Sequence, residues 1–349
     1  MPGVVAPAPR EHGWTRVVLA TAAFLLLARA PGARAVLPVA DTYLLLFPIL
    51  ASCFVAGWMA GGPASLAVVW VLMTGALFAL PPSGESATYH DVARAWGLLV
   101  AGAFGVVCVV GARGPLFGRS LAAAAGALAG SVIFAGAAAL SLPSIARVFV
   151  AEFASRNAAT EASFARWLPS VSSRFPAAGE WAAQKSIALE RASAAVAAPL
   201  VPALLVLEAL AACALAWALY HRLSRTRLGP PLASLREFTF GHGLVWALVA
   251  GGALLAIPAL RQSSAALVGA NFVALFGALF ALRGAGVAAW FLPVRRQAAQ
   301  VASWAAALAL APVTVPVALG IGITDDWLDF RGLSRTAAPG VPDTKHSTD

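Results

Sequence analysis

The sequence predicts an all-α, polytopic transmembrane helix bundle of eight or nine spans, and three observations carry that prediction. Of the 349 residues, 60% are hydrophobic and only 11% charged, whereas a soluble domain carries roughly 25% charged residues. The mean hydropathy is +0.81, and so much apolar sequence leaves too little polar surface to cover a water-soluble fold. The apolar residues also run continuously rather than alternating, which selects helices over a barrel. A soluble enzyme, a disordered chain and a secreted disulfide scaffold are excluded together.

A helix crossing about 30 Å of hydrocarbon needs roughly 20 apolar residues. In chain order such stretches fall at 14–30, 39–61, 63–81, 92–112, 119–142, 194–220, 241–260, 264–292 and 298–323, after an N-terminal segment 1–13. The first stretch imitates a cleavable signal, with Arg10 and Arg16 before the apolar residues and Ala28-Arg29-Ala30 after them. A second span starting about ten residues later favours its retention as a helix. Pro48, Pro202, Pro258, Pro312 and Pro316 lie in or beside the runs, where neighbouring helices or cavity water satisfy the freed carbonyls.

Between the fifth and sixth stretches, residues 143–193 form the one sizeable polar insertion. Ile145, Val148, Phe149 and Phe153 recur at helical spacing, followed by Phe164, Trp167, Leu168, Val171 and Phe175. Glu152 and Arg156 stand four apart, able to pair across one turn. One or two amphipathic helices are expected, lying on the membrane or capping the bundle, with plain interfacial packing favoured over a lid. The tail 336–349 reads as disordered, leaving residues 14–335 as one transmembrane domain.

The net charge of +9 and the pI near 10.7 come almost entirely from Arg placed between apolar runs. There the guanidinium groups orient segments and meet anionic headgroups, so the expected partner is the lipid bilayer and not nucleic acid. With the N-terminus cytoplasmic, the short inner segments hold Arg10, Arg16, Arg113, Arg119, Arg222, Arg225, Arg227, Arg236, Arg295 and Arg296. The short outer loops hold only Arg29, Arg34, Arg94 and Arg261, which predicts that orientation. Cys53, Cys108 and Cys213 lie far apart within apolar runs and read as small buried hydrophobes.

Few residues could carry chemistry. Glu208 lies near the middle of the sixth stretch, where a charge costs about 2.5–3.5 kcal/mol on insertion scales. It should face protein or cavity, serving a ligand or a proton, or else fixing packing through an interhelical hydrogen bond. Asn271 and Arg283 share roughly one face of the eighth stretch, and Arg283 can pair with Glu208 if the two helices touch, or snorkel to an interface. Glu208, Asn271 and Arg283 are the candidate substrate-binding residues.

Asp325-Asp326-Trp327-Leu328-Asp329 matches Asp-Asp-x-x-Asp, a pattern that holds magnesium diphosphate in prenyl-transferring enzymes. The other reading is a helix end at the interface, with Trp327 at headgroup level and Arg331 pairing locally. No second aspartate-rich segment, His-Glu-x-x-His, Gly-x-Ser-x-Gly or Walker sequence accompanies it. No catalytic residue, metal or cofactor is therefore expected.

Two segments carry a resemblance: Asn271 to Leu292, and the ending Leu319-Gly-Ile-Gly-Ile-Thr-Asp-Asp-Trp-Leu-Asp-Phe-Arg331. With a paired N-terminal hairpin and a polar insertion before the sixth helix, the chain resembles the YybS-like family of bacterial multi-pass membrane proteins, labelled a domain of unknown function. The specific positions are Gly322, Asp325, Trp327, Asp329, Phe330 and Arg331. The resemblance implies a distant similarity to the S components of energy-coupling-factor transporters. It further implies a six-helix core over about 14–220, extra C-terminal helices and a place in the bacterial inner membrane. The expected function is a non-enzymatic bundle that binds or passes a small molecule. The alternatives are a scaffold for a membrane-protein partner and, third, a magnesium-dependent prenyltransferase.

The topology is directly testable. In a background without the three native cysteines, Ser172→Cys should react with an impermeant maleimide added to intact cells. Labelling only after lysis would show that the orientation or the span count is wrong.

Overall fold

The computed structural model describes residues 14–27, 36–81, 86–111, 114–137, 142–173, 197–260, 263–292 and 310–336, with isolated positions between them. Among the described residues all regular structure is helical. The helices are α1 (Trp14–Leu27), α2 (Tyr43–Met59), α3 (Ala64–Phe78), α4 (Ala87–Val110), α5 (Leu116–Ala137), α6 (Leu142–Ser172) and α7 (Val201–Leu223). They continue as α8 (Gly243–Ala256), α9 (Ser264–Phe291), α10 (Ala311–Leu328) and α11 (Phe330–Thr336), with 3-10 turns at Leu235–Glu237 and Pro258–Leu260. The chain packs as two units, Met1–Leu232 and Ala233–Asp349.

Among the described residues four helices are long and apolar enough to cross a membrane: α4, α5 over Leu116–Gly136, α7 and α9. Four more, α1, α2, α3 and α8, are apolar but only 10–17 residues long. Their shortness has local causes. The expected stretch 39–61 becomes helical only at Tyr43, because residues 36–42 form a loop whose amides are bonded by side chains of other helices. Helix α8 stops at Ala256 because Pro258 lacks an N–H and starts a 3-10 turn instead. Helix α4, by contrast, starts five residues before its apolar run, because the Ser86 side chain caps it by accepting from Tyr89 N at 3.2 Å.

In the first unit α2 is the central element, packed against α3, α4 and α7, with α5 bridging α4 and α7. Its core includes Leu44, Leu45, Ile49, Phe104, Trp217 and Tyr220, together with the three cysteines, all free and buried. The polar insertion opens with one helix, α6, whose Phe149 and Phe153 join this core while Ile145 and Val148 pack against it. The expected pair forms, with Arg156 Nε donating to Glu152 Oε1 at 3.0 Å. The side chains of Phe164, Trp167, Leu168, Val171 and Phe175, and the segments 1–13 and 337–349, lie outside the described residues, as does most of 298–309.

In the second unit α9 is central, packed against α8, α10 and the Leu235–Glu237 turn. The helices α9 and α10 approach until backbone meets backbone. A Cβ on Gly322 would strike Phe280 O, and one on Gly284 would strike Ala318 O. Gly320, one turn-fraction away on the same helix, has nothing within 4 Å.

The two glycines of α10 should therefore respond to alanine with opposite signs. Gly322→Ala should destabilise the protein by about 1–3 kcal/mol through overpacking. Gly320→Ala should be neutral or stabilising by up to about 1 kcal/mol, since alanine is the better helix former. Thermal unfolding in detergent measures both, and equal effects would refute the close helix contact.

Candidate functional site

Each unit holds a cluster of buried polar side chains. In the first unit the cluster is organised around the loop before α2. Tyr89 on α4 accepts from Ala40 N at 2.9 Å and donates to Pro38 O. Arg156 on α6 donates from Nη1 to Leu37 O at 2.9 Å and lies 4.6 Å from the Tyr89 ring centroid. Glu208 on α7 accepts from Val39 N at 3.1 Å through Oε2. The carboxylate is only 5% exposed, and its other oxygen, Oε1, has no hydrogen-bond partner. Asp41, which follows Ala40, and His90, which follows Tyr89, are also buried, 4.0 Å apart. Three helices thus grip the backbone of four consecutive residues, Leu37 to Ala40, and one carboxylate oxygen remains uncommitted.

In the second unit the family-motif residues close on themselves. Arg283 on α9 donates from Nε to Asp325 Oδ2 at 2.9 Å, from Nη1 to Asp326 Oδ1, and from Nη2 to the Asp325 carbonyl at 3.2 Å. Arg331 donates to the same Asp325 Oδ2 at 2.6 Å and to the carbonyls of Arg236 and Phe238 at 2.9 and 3.1 Å. All four charged side chains are buried. Two cations against two anions make the cluster electroneutral, the condition under which buried charge is tolerable. The mostly exposed His242 reaches in from the start of α8, its Nδ1 3.1 Å from Asp326 Oδ2.

The aspartate-rich pattern does not present three carboxylates to one ion. Asp325 and Asp326 point into guanidinium groups, while Asp329 ends α10 in the left-handed region at φ 41° and accepts from Gly332 N at 3.1 Å. Among the described residues no group of three or more His, Cys, Asp or Glu side chains could hold a metal ion. Trp327 is exposed and Phe330 half-buried. The Arg331–aspartate pair anticipated from sequence is present; the partners of Arg283 are the two aspartates and not Glu208. Asn271 is not brought to this cluster and donates to Leu267 O of its own helix at 2.9 Å.

Sequence reasoning did not single out Tyr89 or His242 as site residues, placed Arg156 only in its pair with Glu152, and placed Asp326 only in the aspartate-rich pattern. A groove of about 720 Å³ between α2, α3 and α4 is separate from both clusters and lined by apolar groups such as Pro48, Val55 and Val106. Its two hydroxyls, Ser52 and Thr74, are spent on Ile49 O and Trp70 O within their own helices.

Long apolar helices closed over internally neutralised charge define an integral membrane helix-bundle protein. The profile of a family described as predicted membrane protein (DUF2232) matches residues 96–325, well over half of the chain, and the protein belongs to that family. No curated protein and no solved structure matches it significantly.

The motif aspartates should separate sharply on substitution. Asp325→Asn leaves two buried guanidinium groups short of a counter-charge and should cost about 3–5 kcal/mol. Asp329→Asn keeps a side chain that tolerates the left-handed region and should stay within about 0.5 kcal/mol. Thermal or denaturant unfolding in detergent decides, and a tolerated Asp325→Asn would contradict the cluster.

Proposed function

We propose that the protein binds a small molecule, or passes it on, through its first unit, as a non-enzymatic bundle of the bacterial inner membrane with a cytoplasmic N-terminus. The carrying observation is the Glu208 carboxylate, buried, half-used and bonded to the backbone of the loop before α2. A carboxylate oxygen in that setting is costly unless a proton or a ligand completes it. The loop that covers it is clamped by Tyr89 and Arg156 and is the element whose release would admit a ligand. The resemblance to S components of energy-coupling-factor transporters implies a six-helix core followed by extra helices, and the first unit holds seven, α1 to α7, with α6 of the polar insertion among them.

A membrane scaffold with a protein partner is the second reading. It is favoured by the same bond seen from its other side, since Glu208 anchors Val39 N as a packing device would. A magnesium-dependent prenyltransferase is the weakest reading, because Asp325 and Asp326 are already taken by arginine.

Native mass spectrometry and untargeted metabolite analysis of the full-length protein in detergent test the proposal. The wild type should retain a small ligand, and Glu208→Gln should keep its unfolding temperature while losing occupancy about 10- to 100-fold, the range for one charge-assisted hydrogen bond. No ligand on the wild type, with Glu208→Gln unstable, would favour the scaffold.

A further inference from the structure

The other end of the first unit holds a charge that the chain leaves unanswered. Arg119, in the first turn of α5, is only 4% exposed, yet Nε, Nη1 and Nη2 all lack hydrogen-bond partners. Its guanidinium lies 4.3 Å from the Trp217 ring centroid, beside the Cys108 thiol, which is a weak acceptor without charge. His221, fully buried and 4.7 Å from Trp217, lies against the Leu228 backbone and makes no close hydrogen bond through either ring nitrogen. The charges of Arg222 and Arg227 also act on that imidazole.

No acid is at hand. There is no Asp or Glu between Asp91 and Glu152, between Thr42 and Gly84, or between Ala209 and Arg236, the segments that supply α2, α3, α5 and the end of α7. Arg119 also stands at a helix N-terminus, where the macrodipole opposes a cation and the first-turn N–H groups have no partner within the helix. The side-chain charges that act on His221 are all arginines. A five-donor guanidinium buried with only an uncharged thiol as acceptor is a site with its ligand missing.

We propose that Arg119 and His221 form a binding site for a phosphate group, either the headgroup of an anionic lipid or a soluble phosphate compound. A phosphate answers several positive groups at once, matches the guanidinium fork and suits a helix N-terminus. The segment 224–230 covers the site, held by Trp217 Nε1 to Pro230 O at 3.0 Å and Tyr220 Oη to Thr226 O at 2.7 Å, and a ligand reaches Arg119 by displacing it. The adjoining Pro115 and Gly118 are exposed, so the site borders the surface.

The test uses the full-length protein in phosphatidylcholine nanodiscs, with thermal unfolding read against added phosphatidylglycerol in one arm and inorganic phosphate in the other. The wild type should gain stability saturably in at least one arm. A response to lipid alone assigns the headgroup, and a response to inorganic phosphate assigns a soluble source. Arg119→Gln should weaken the response at least tenfold, while Arg225→Gln, exposed nearby, should leave it within twofold. A wild type unresponsive in both arms, or Arg119→Gln responding like wild type, overturns the proposal. Should Arg119→Gln fail to fold, His221→Ala takes its place, with a several-fold loss expected and an unchanged response overturning the site.

Discussion

Everything in this fold answers to one constraint: in hydrocarbon, a polar group must find its partner inside the protein. The electroneutral knot of Arg283, Asp325, Asp326 and Arg331 is the clearest instance. It joins the middle of α9 to the end of α10, and Arg331 extends it to the carbonyls of the 236–238 segment. The glycines follow from it. For Arg283 to reach both aspartates the two helices must come close, and only Gly284 and Gly322 let backbone approach backbone there. The motif that looks like a cation site is instead a joint, and its charges are spent on each other.

How much of this was legible in the sequence depended on what kind of partner each residue has. Hydropathy located the helices well, because a continuous apolar run has few other uses in a chain this poor in charge. Helix ends were less legible, since Ser86 capping, Pro258 and the loop before α2 set them and not the apolar pattern. The Glu152–Arg156 pair was readable because one turn separates its members. The Glu208 bond was not, because its partner is a backbone amide 169 positions away, and an amide has no signature in a sequence. Arg283 was seen as unusual, but its true partners lie 42 and 43 positions on, across a helix contact that no spacing rule reveals. Arg119 read as one more orienting arginine in a short loop, and only its complete burial sets it apart.

The two units obey the constraint to different degrees. In the second, cation and anion are balanced within the cluster, and only Asp325 Oδ1 and Asp326 Oδ2 lack a hydrogen bond there, each on a carboxylate already paired with arginine. In the first, the Glu152–Arg156 pair is balanced, whereas the Glu208 carboxylate and the Arg119 guanidinium each keep unbonded atoms in the interior. A protein that neutralises charge so thoroughly in one place has the means to do so elsewhere. Groups left open against that background are where function is best sought.

Those two groups cannot satisfy each other. Glu208 and Trp217, on which the Arg119 guanidinium stacks, lie on the same helix, α7, nine positions apart, which at about 1.5 Å per residue is roughly 13 Å. At that distance neither a hydrogen bond nor a useful ion pair can form, and α7 is a rigid rod between them. On the proposed readings each end is completed separately, by a proton or polar ligand at Glu208 and by an anion at Arg119. The same helix then carries both sites, with Val39 pinned at one end and the 224–230 segment at the other. Any shift of α7 that loosens one of these segments is felt by the other, which gives a physical route by which occupancy at one end can alter access at the other.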